Sequence, residues 1–171
     1  SDLGTDAYLD VLDESTVESL YGDALGALLQ MQRDVSCDAT SLPDYDAALL
    51  TNEMGLFRDW YCIQYRQCDF SGAQLEVLDS VFQLLCDSAL SQPHVFVHRD
   101  YHSRNLMFTK QDNPGILDFQ DAVIGPVTYD LVSLLRDCYI AWPRERVEEW
   151  ALAYLHQAAD AGLFPPEPDA T

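Results

Sequence analysis

The sequence predicts an α+β fold that is mostly helical and carries a small β insert in the middle of its 171 residues. Two observations predict it. Apolar residues recur at helical spacing before residue 91 and after residue 127, whereas short apolar runs separated by turn residues occupy 94–117. Hydrophobic residues make up 48% of the chain and charged residues 22%, which is typical of a packed domain rather than a disordered one.

The first helix is predicted from a capping box. Ser15 and Glu18 have the required three-residue spacing, and apolar residues then follow a helical period to about Arg33. A second helix is expected from about Asp44 to Trp60. Its inward face is predicted to contain Leu49, Leu56, Phe57 and Trp60.

A third helix is predicted after a second capping box, formed by Ser71 and Gln74, and should end before Pro93. Its apolar stripe is expected to consist of Leu75, Leu78, Phe82, Leu85 and Ala89.

The β insert is predicted to hold three short strands, at 94–97, 106–108 and from 116. Residues 111–115, Gln-Asp-Asn-Pro-Gly, have the composition of a turn, so the last two strands should form a hairpin.

Helical spacing returns at about 127–139. A final helix is expected to begin near Pro143 and to end before Gly162, since proline is tolerated in a first turn and glycine favours a helix end.

The charge balance excludes some partners. The chain has 29 acidic and 9 basic residues, a net charge of −20, and such a chain repels nucleic acids and anionic membranes. Of the acids 21 are Asp, and Lys110 is the single lysine, which suggests adaptation to concentrated salt. Five scattered cysteines without a C-x-x-C pair indicate reduced thiols in the cytoplasm, and neither a membrane span nor a signal peptide is visible.

The chemistry is expected in the insert, in the loop from His98 to Asn105, hereafter the catalytic loop. This loop and Asp118 form an H-R-D-x-x-x-x-N plus D-F pattern, which is typical of phosphoryl transfer from ATP. Asp100 is predicted to accept the proton of a substrate hydroxyl. Asn105 and Asp118 are predicted to bind Mg²⁺ through oxygen atoms. The alternative is a turn-rich hairpin with solvated acids.

These residues resemble a known family, the aminoglycoside phosphotransferase and choline kinase-like group of small-molecule kinases. His98, Asp100, His102 and Asn105 match its H-G-D-x-H-x-x-N loop, with Arg99 in place of the usual glycine. Over residues 96–137 the chain is similar to bacterial anomeric kinases that phosphorylate N-acetylmuramate and N-acetylglucosamine during cell-wall recycling.

The resemblance implies a protein-kinase-like C-terminal lobe that uses ATP and Mg²⁺. It implies that Asp100 is the base, that Asn105 and Asp118 bind the metal, and that Asp130 braces the catalytic loop. The alternative for Asp130 is an acid that favours a helix N-terminus. His98 and His102 are expected to support the loop.

The sugar is expected to meet acids, an arginine and an aromatic side chain at the catalytic edge. The candidates are Glu53, Trp60, Asp121, Arg136 and Asp137. Arg136 is a candidate partner for the lactyl carboxylate of N-acetylmuramate, or for an acid of this chain in an ordinary salt bridge. Glu53 and Trp60 also fit the polar and core faces of a helix.

The N-terminal β lobe of such kinases is expected to be absent. No Gly-rich loop precedes Lys110, so residues 1–171 read as a single C-terminal lobe, with 1–14 following the hinge and 163–171 a Pro-rich tail. The chain alone is therefore expected to be inactive and to need the missing lobe as partner. Two alternatives are a kinase of aminoglycosides or choline-like amines, and a non-catalytic lobe that serves as a binding module.

Overall fold

The computed structural model describes residues 3–37 and 41–164, and these fall into two compact units: residues 3–37, 41–43 and 93–164, and residues 44–92. The predictions for Ser1, Asp2 and the tail from Pro165 fall outside the described residues. Among those described, no helix has both the length and the apolar character needed to cross a membrane.

Four helices supply most of the core of the first unit: α1 (Tyr8–Val11), α2 (Val17–Asp34), α5 (Tyr129–Leu135) and α6 (Arg144–Asp160). The helix predicted over 17–33 is confirmed, but its capping box is wrong. The Asp13 carboxylate accepts hydrogen bonds from the amides of Ser15 (2.7 Å) and Thr16 (3.0 Å). A charged oxygen forms the stronger bond with these amides, so Asp13 takes the place of the predicted box.

Within the described residues, the strands form two antiparallel pairs, and Ala7 adds an isolated bridge to Met107. The predicted hairpin is confirmed as β2 (Leu106–Met107) and β3 (Gly115–Ile116). β1 (His94–Val97) pairs instead with β4 (Val123–Pro126), a strand that the sequence did not predict. The catalytic loop therefore leaves the β1–β4 pair and enters the β2–β3 hairpin.

α5 (Tyr129–Leu135) is shorter than the helix predicted over 127–139. It ends because the Asp137 carboxylate accepts the Tyr139 amide (2.9 Å), which turns the chain away from the helix axis. The last helix is confirmed. It starts directly after Pro143, and Gly162 follows it at a φ of +78°, a conformation that glycine adopts without steric cost.

The second unit consists of α3 (Ala47–Leu56), a π-helix (Phe57–Tyr65) and α4 (Gly72–Leu90). The predicted capping box is confirmed at α4, where the Gln74 amide donates to Ser71 Oγ (3.3 Å) and the Ser71 amide to Gln74 Oε1 (2.9 Å).

The predicted inward faces of this unit are partly wrong. Leu56, Phe57 and Trp60 are half or more exposed, and so is Leu85. At Trp60 the physical reason is the change from α- to π-helix at Phe57, which widens the turn and rotates the residues that follow. Leu56 lies before this change, in α3, which has no buried residue.

The π-helix instead buries only Cys62 among its residues. Phe57, Tyr61 and Tyr65 stack along its surface, with ring centroids 5.5 and 6.0 Å apart.

Candidate active site

The middle of the catalytic loop is fixed to the core by Tyr101. This side chain is fully buried, and its hydroxyl donates to the backbone carbonyl of Ala24 on α2 (2.8 Å). Its ring meets the His98 ring edge-on at 5.8 Å. The inward position of Tyr101 fixes the backbone on both sides of it, including that of Asp100.

The start of the loop is held by Asp130, in the first turn of α5. Its carboxylate accepts the amides of His98 (2.6 Å) and Arg99 (3.0 Å). Asp130 is fully buried, and burial raises its pKa to about 7 although both amides favour the charged form. This is the contact that the predicted bracing role requires.

Two residues of the site lie in the left-handed backbone region: Arg99 at a φ of +77° and Asp118 at +67°. Arg99 occupies the position at which the related motif usually has glycine, the residue that adopts this conformation most easily. Such a conformation persists only where the surroundings impose it. At Arg99 they do so through Asp130 and through a bond from the Arg99 guanidinium to the Asp121 carbonyl (3.4 Å).

The structure brings Asp100, Asn105 and Asp118 together. The Asn105 side-chain amide donates to the Asp100 carbonyl (3.0 Å), and the Leu117 amide donates to the Asn105 carbonyl (2.9 Å). This second bond extends the β2–β3 pairing by one residue, so that Asp118 follows directly.

His98 is a buried residue at the start of the catalytic loop. Burial lowers its pKa, and the Leu117 carbonyl and the charges of Asp100 and Asp118 raise that pKa less strongly. The ring nitrogen Nδ1 accepts the Asp100 amide at 3.3 Å.

The oxygen atoms available here fit a magnesium ion. The Asn105 nitrogen is engaged by the Asp100 carbonyl, which leaves the side-chain oxygen as the acceptor end. The Asp118 carboxylate accepts Gln120 Nε2 at 2.7 Å and retains further lone pairs. Within the described ranges, no three His, Cys, Asp or Glu side chains form a possible metal cluster. Two protein ligands suit Mg²⁺, which takes its other ligands from water and phosphates.

The predicted substrate residues of the first unit have different surroundings. Asp121 is exposed, and its carbonyl accepts Arg99. Arg136 is exposed and lines a cavity of about 150 Å³ together with Trp142. The Asp137 carboxylate accepts the amides of Ser103 (2.9 Å) and Tyr139 (2.9 Å), and its predicted contact with the sugar stays a prediction. No spacing in the sequence signalled these two partners.

Glu53 and Trp60 belong to the second unit. Glu53 accepts the Tyr45 hydroxyl within that unit, and Trp60 is 66% exposed on the π-helix. Their predicted role toward a substrate stays a prediction.

Known proteins resemble both the sequence and the fold. The chain is 50% identical over 162 residues to the N-acetylmuramate/N-acetylglucosamine kinase of Pseudomonas putida, which covers 95% of this chain and 47% of that protein. The enzyme of the same name from Pseudomonas aeruginosa is 46% identical over 168 residues, covering 97% of this chain and 48% of that protein. The chain thus spans about half the length of these relatives.

Solved structures share the fold. The gentamicin complex of the aminoglycoside phosphotransferase APH(2″)-IIa has a TM-score of 0.61 at 17% identity, covering 94% of this chain and 56% of that one. Aminoglycoside-3′-phosphotransferase of type VIII has a TM-score of 0.64 at 10% identity, covering 94% and 60%. The predicted kinase-like α+β fold is confirmed, whereas the absence of an N-terminal lobe stays a prediction.

The family comparison covers nearly the whole sequence. The description "Phosphotransferase enzyme family" (APH) matches residues 2–168, which contain the catalytic loop, Asp118 and Asp130. The resemblance predicted from residues 96–137 is therefore confirmed, and the chain belongs to the APH phosphotransferase enzyme family.

Proposed function

We propose that this chain is the part of an ATP-dependent kinase that bears the catalytic loop, and that the kinase phosphorylates the anomeric hydroxyl of N-acetylmuramate or N-acetylglucosamine. Family membership supports phosphoryl transfer. The substrate class is supported by the names of the relatives at 50% and 46% identity.

Asp100 is the proposed base. Its carboxylate takes the proton of the sugar hydroxyl as that oxygen attacks the γ-phosphorus of ATP. Burial lowers the pKa of His98 and so favours the neutral ring, whose Nδ1 accepts the Asp100 amide and fixes the backbone of the base. His98 therefore positions Asp100 without exchanging a proton with the substrate.

Asn105 and Asp118 are the proposed metal ligands. Magnesium, when bound, neutralises negative charge on the phosphates of the nucleotide. This chain would supply two oxygen atoms at one end of the β2–β3 hairpin, one from Asn105 and one from Asp118. The bond from Leu117 to Asn105 (2.9 Å) fixes the relative position of the two ligands.

One observation carries the proposal: Asn105 joins the other two residues, because its side-chain amide donates to the Asp100 carbonyl and its own carbonyl accepts the amide of Leu117, the residue before Asp118. A base and two oxygen ligands within one cluster are what phosphoryl transfer needs.

The test is phosphorylation by the intact protein of a sugar panel beside an aminoglycoside panel and choline. We expect transfer to N-acetylmuramate and N-acetylglucosamine. Asp100→Asn should lower the rate by about 10²–10⁴-fold, the usual contribution of a general base. Asp160→Asn, on the exposed end of α6, is the matched control and should keep full activity. An active Asp100→Asn variant would rule out Asp100 as the base, and preference for aminoglycosides or choline would replace the substrate class.

We further propose that the kinase needs an N-terminal lobe and acts in the cytoplasm. Lys110 lies in the turn between β2 and β3, so it is not placed to bind the nucleotide phosphates as the lysine of an N-terminal lobe does. The 171 residues alone should therefore show no turnover of ATP with amino sugars, and turnover by them would contradict this. Cys62, Cys68, Cys86 and Cys138 are free thiols, which supports a reducing compartment.

A further inference from the structure

The second half of the catalytic loop is held by the connection between α5 and α6. Asp137, two residues beyond α5, accepts the Ser103 amide through one carboxylate oxygen (2.9 Å) and the Tyr139 amide through the other (2.9 Å). One side chain thus joins the loop to the connection. Hydrogen bonds to a charged carboxylate are stronger than those between neutral groups.

Tyr139 adds a second contact to the same part of the loop. Its ring meets the His102 ring edge-on, with centroids 5.4 Å apart, and the Arg104 guanidinium lies 5.0 Å from its centre. His102 and Arg104 are the neighbours of Ser103 on either side. The Asp137–Tyr139 bond sets the turn that places this ring.

Ser103 is consequently held from two directions. Its amide donates to Asp137, and its carbonyl accepts the Leu9 amide (3.1 Å). Ser103 is fully buried. A peptide held on both sides has little freedom to shift while these bonds last.

Because Ser103 and Asn105 belong to one tight turn, fixing Ser103 also fixes the position of Asn105. The Asn105 amide donates to the His102 carbonyl (2.9 Å), which closes a tight turn around Ser103. Asp130 holds the loop before Asp100, whereas Asp137 holds it after Asp100. The two carboxylates therefore fix different ends of the same loop.

We propose that Asp137 is a positioning residue that, with the Tyr139 ring, sets the Asn105 end of the catalytic loop and thereby its affinity for magnesium. The proposal rests on the proposed function, because it takes Asn105 as a metal ligand. It assigns Asp137 to the loop backbone instead of to the sugar. A partner that orients a metal ligand typically contributes 10- to 100-fold to metal affinity.

The first test measures amide hydrogen exchange in the intact, metal-free protein. Asp137→Ala should speed exchange at Ser103 and Asn105 and leave His98 and Arg99, which Asp130 holds, as slow as in the wild type. Unchanged exchange at Ser103 and Asn105 would overturn the proposal. Faster exchange over the whole unit would also overturn it, since that would show a general loss of stability.

The second test measures magnesium affinity by calorimetry in the presence of a non-hydrolysable ATP analogue. We expect Asp137→Ala to weaken it by about 10- to 100-fold while the KM for the sugar stays within about twofold. Asp137→Asn keeps one acceptor oxygen, so its magnesium affinity should lie between that of the wild type and that of Asp137→Ala. It replaces the alanine variant if the alanine variant does not fold. Asp160→Asn should match the wild type.

The two tests separate this proposal from the proposed function. If the wild-type protein phosphorylates none of the sugars, the substrate assignment fails, while the exchange rates at Ser103 and Asn105 still decide the role of Asp137. Unchanged magnesium affinity in Asp137→Ala would refute the positioning role even in a fully active kinase.

Discussion

Replacing Asp130 with asparagine should remove a pH-dependent loss of stability. Burial raises the pKa of Asp130 from its ordinary 3.8 to about 7, with a further rise from the Asp100 charge, so burial outweighs the opposing bonds from His98 and Arg99. The native state then binds this proton more tightly than the unfolded chain. The stabilisation is fully present below about pH 4 and is lost as the pH rises through about 7.

The magnitude follows from the two pKa values. At about 1.4 kcal/mol for each pH unit, the interval from 3.8 to about 7 corresponds to about 4 kcal/mol in the free energy of unfolding. Asparagine does not ionise, so Asp130→Asn lacks this component. Its stability relative to the wild type should therefore rise by up to about 4 kcal/mol between pH 4 and pH 8.

Urea unfolding of the intact protein at several pH values between 4 and 8 is the assay, with Asp160→Asn as control. Parallel curves for wild type and Asp130→Asn would refute the reasoning, because they would mean that Asp130 titrates alike in both states. The same variant should phosphorylate more slowly, since a neutral amide offers one acceptor oxygen to two backbone amides.

Three further measurements follow from the structure. Arg99→Gly and Arg99→Ala both remove the guanidinium, but only glycine relieves the φ of +77°, so the glycine variant should be more stable by about 1 kcal/mol; equal melting temperatures would contradict this. Phe82→Ala should lower the free energy of unfolding by about 3–5 kcal/mol because Phe82 is buried. Leu85→Ala, at a 52% exposed position, should lower it by less than about 1 kcal/mol, and the urea midpoints of the two variants distinguish these outcomes. With a net charge of −20, the free energy of unfolding should rise with KCl concentration, and a maximum at low salt would remove the idea of salt adaptation.

Local signals predicted much of the fold. The Ser71–Gln74 capping box depends on two side chains three residues apart, and it is present as predicted. The β4 strand was missed because Val123–Pro126 is buried throughout, which leaves no alternation of apolar and polar residues to indicate a strand. The exposure of Trp60 was missed because the π-helix changes the periodicity on which the prediction relied.

At the candidate site, too, the sequence predicted some features and missed others. The proximity of Asp100, Asn105 and Asp118 could be predicted because their spacing reflects one loop and one hairpin, while their roles stay predictions. The partners of Asp137 could not, because a sequence shows a charge without showing which amides its oxygens meet. Nothing in the sequence distinguished Tyr101, whose hydroxyl donates to the Ala24 carbonyl, from an aromatic residue exposed on a loop.

The three anchors of the catalytic loop also restrict its length. Asp130 holds its first two amides, Tyr101 is bonded to Ala24, and Asp137 holds the Ser103 amide. Within the loop, only Asp100 lies between the anchored residues Arg99 and Tyr101, and only His102 lies between Tyr101 and the anchored Ser103. An insertion or deletion inside this segment would therefore break at least one anchor, so loop grafting in this protein has to leave the length of the segment unchanged.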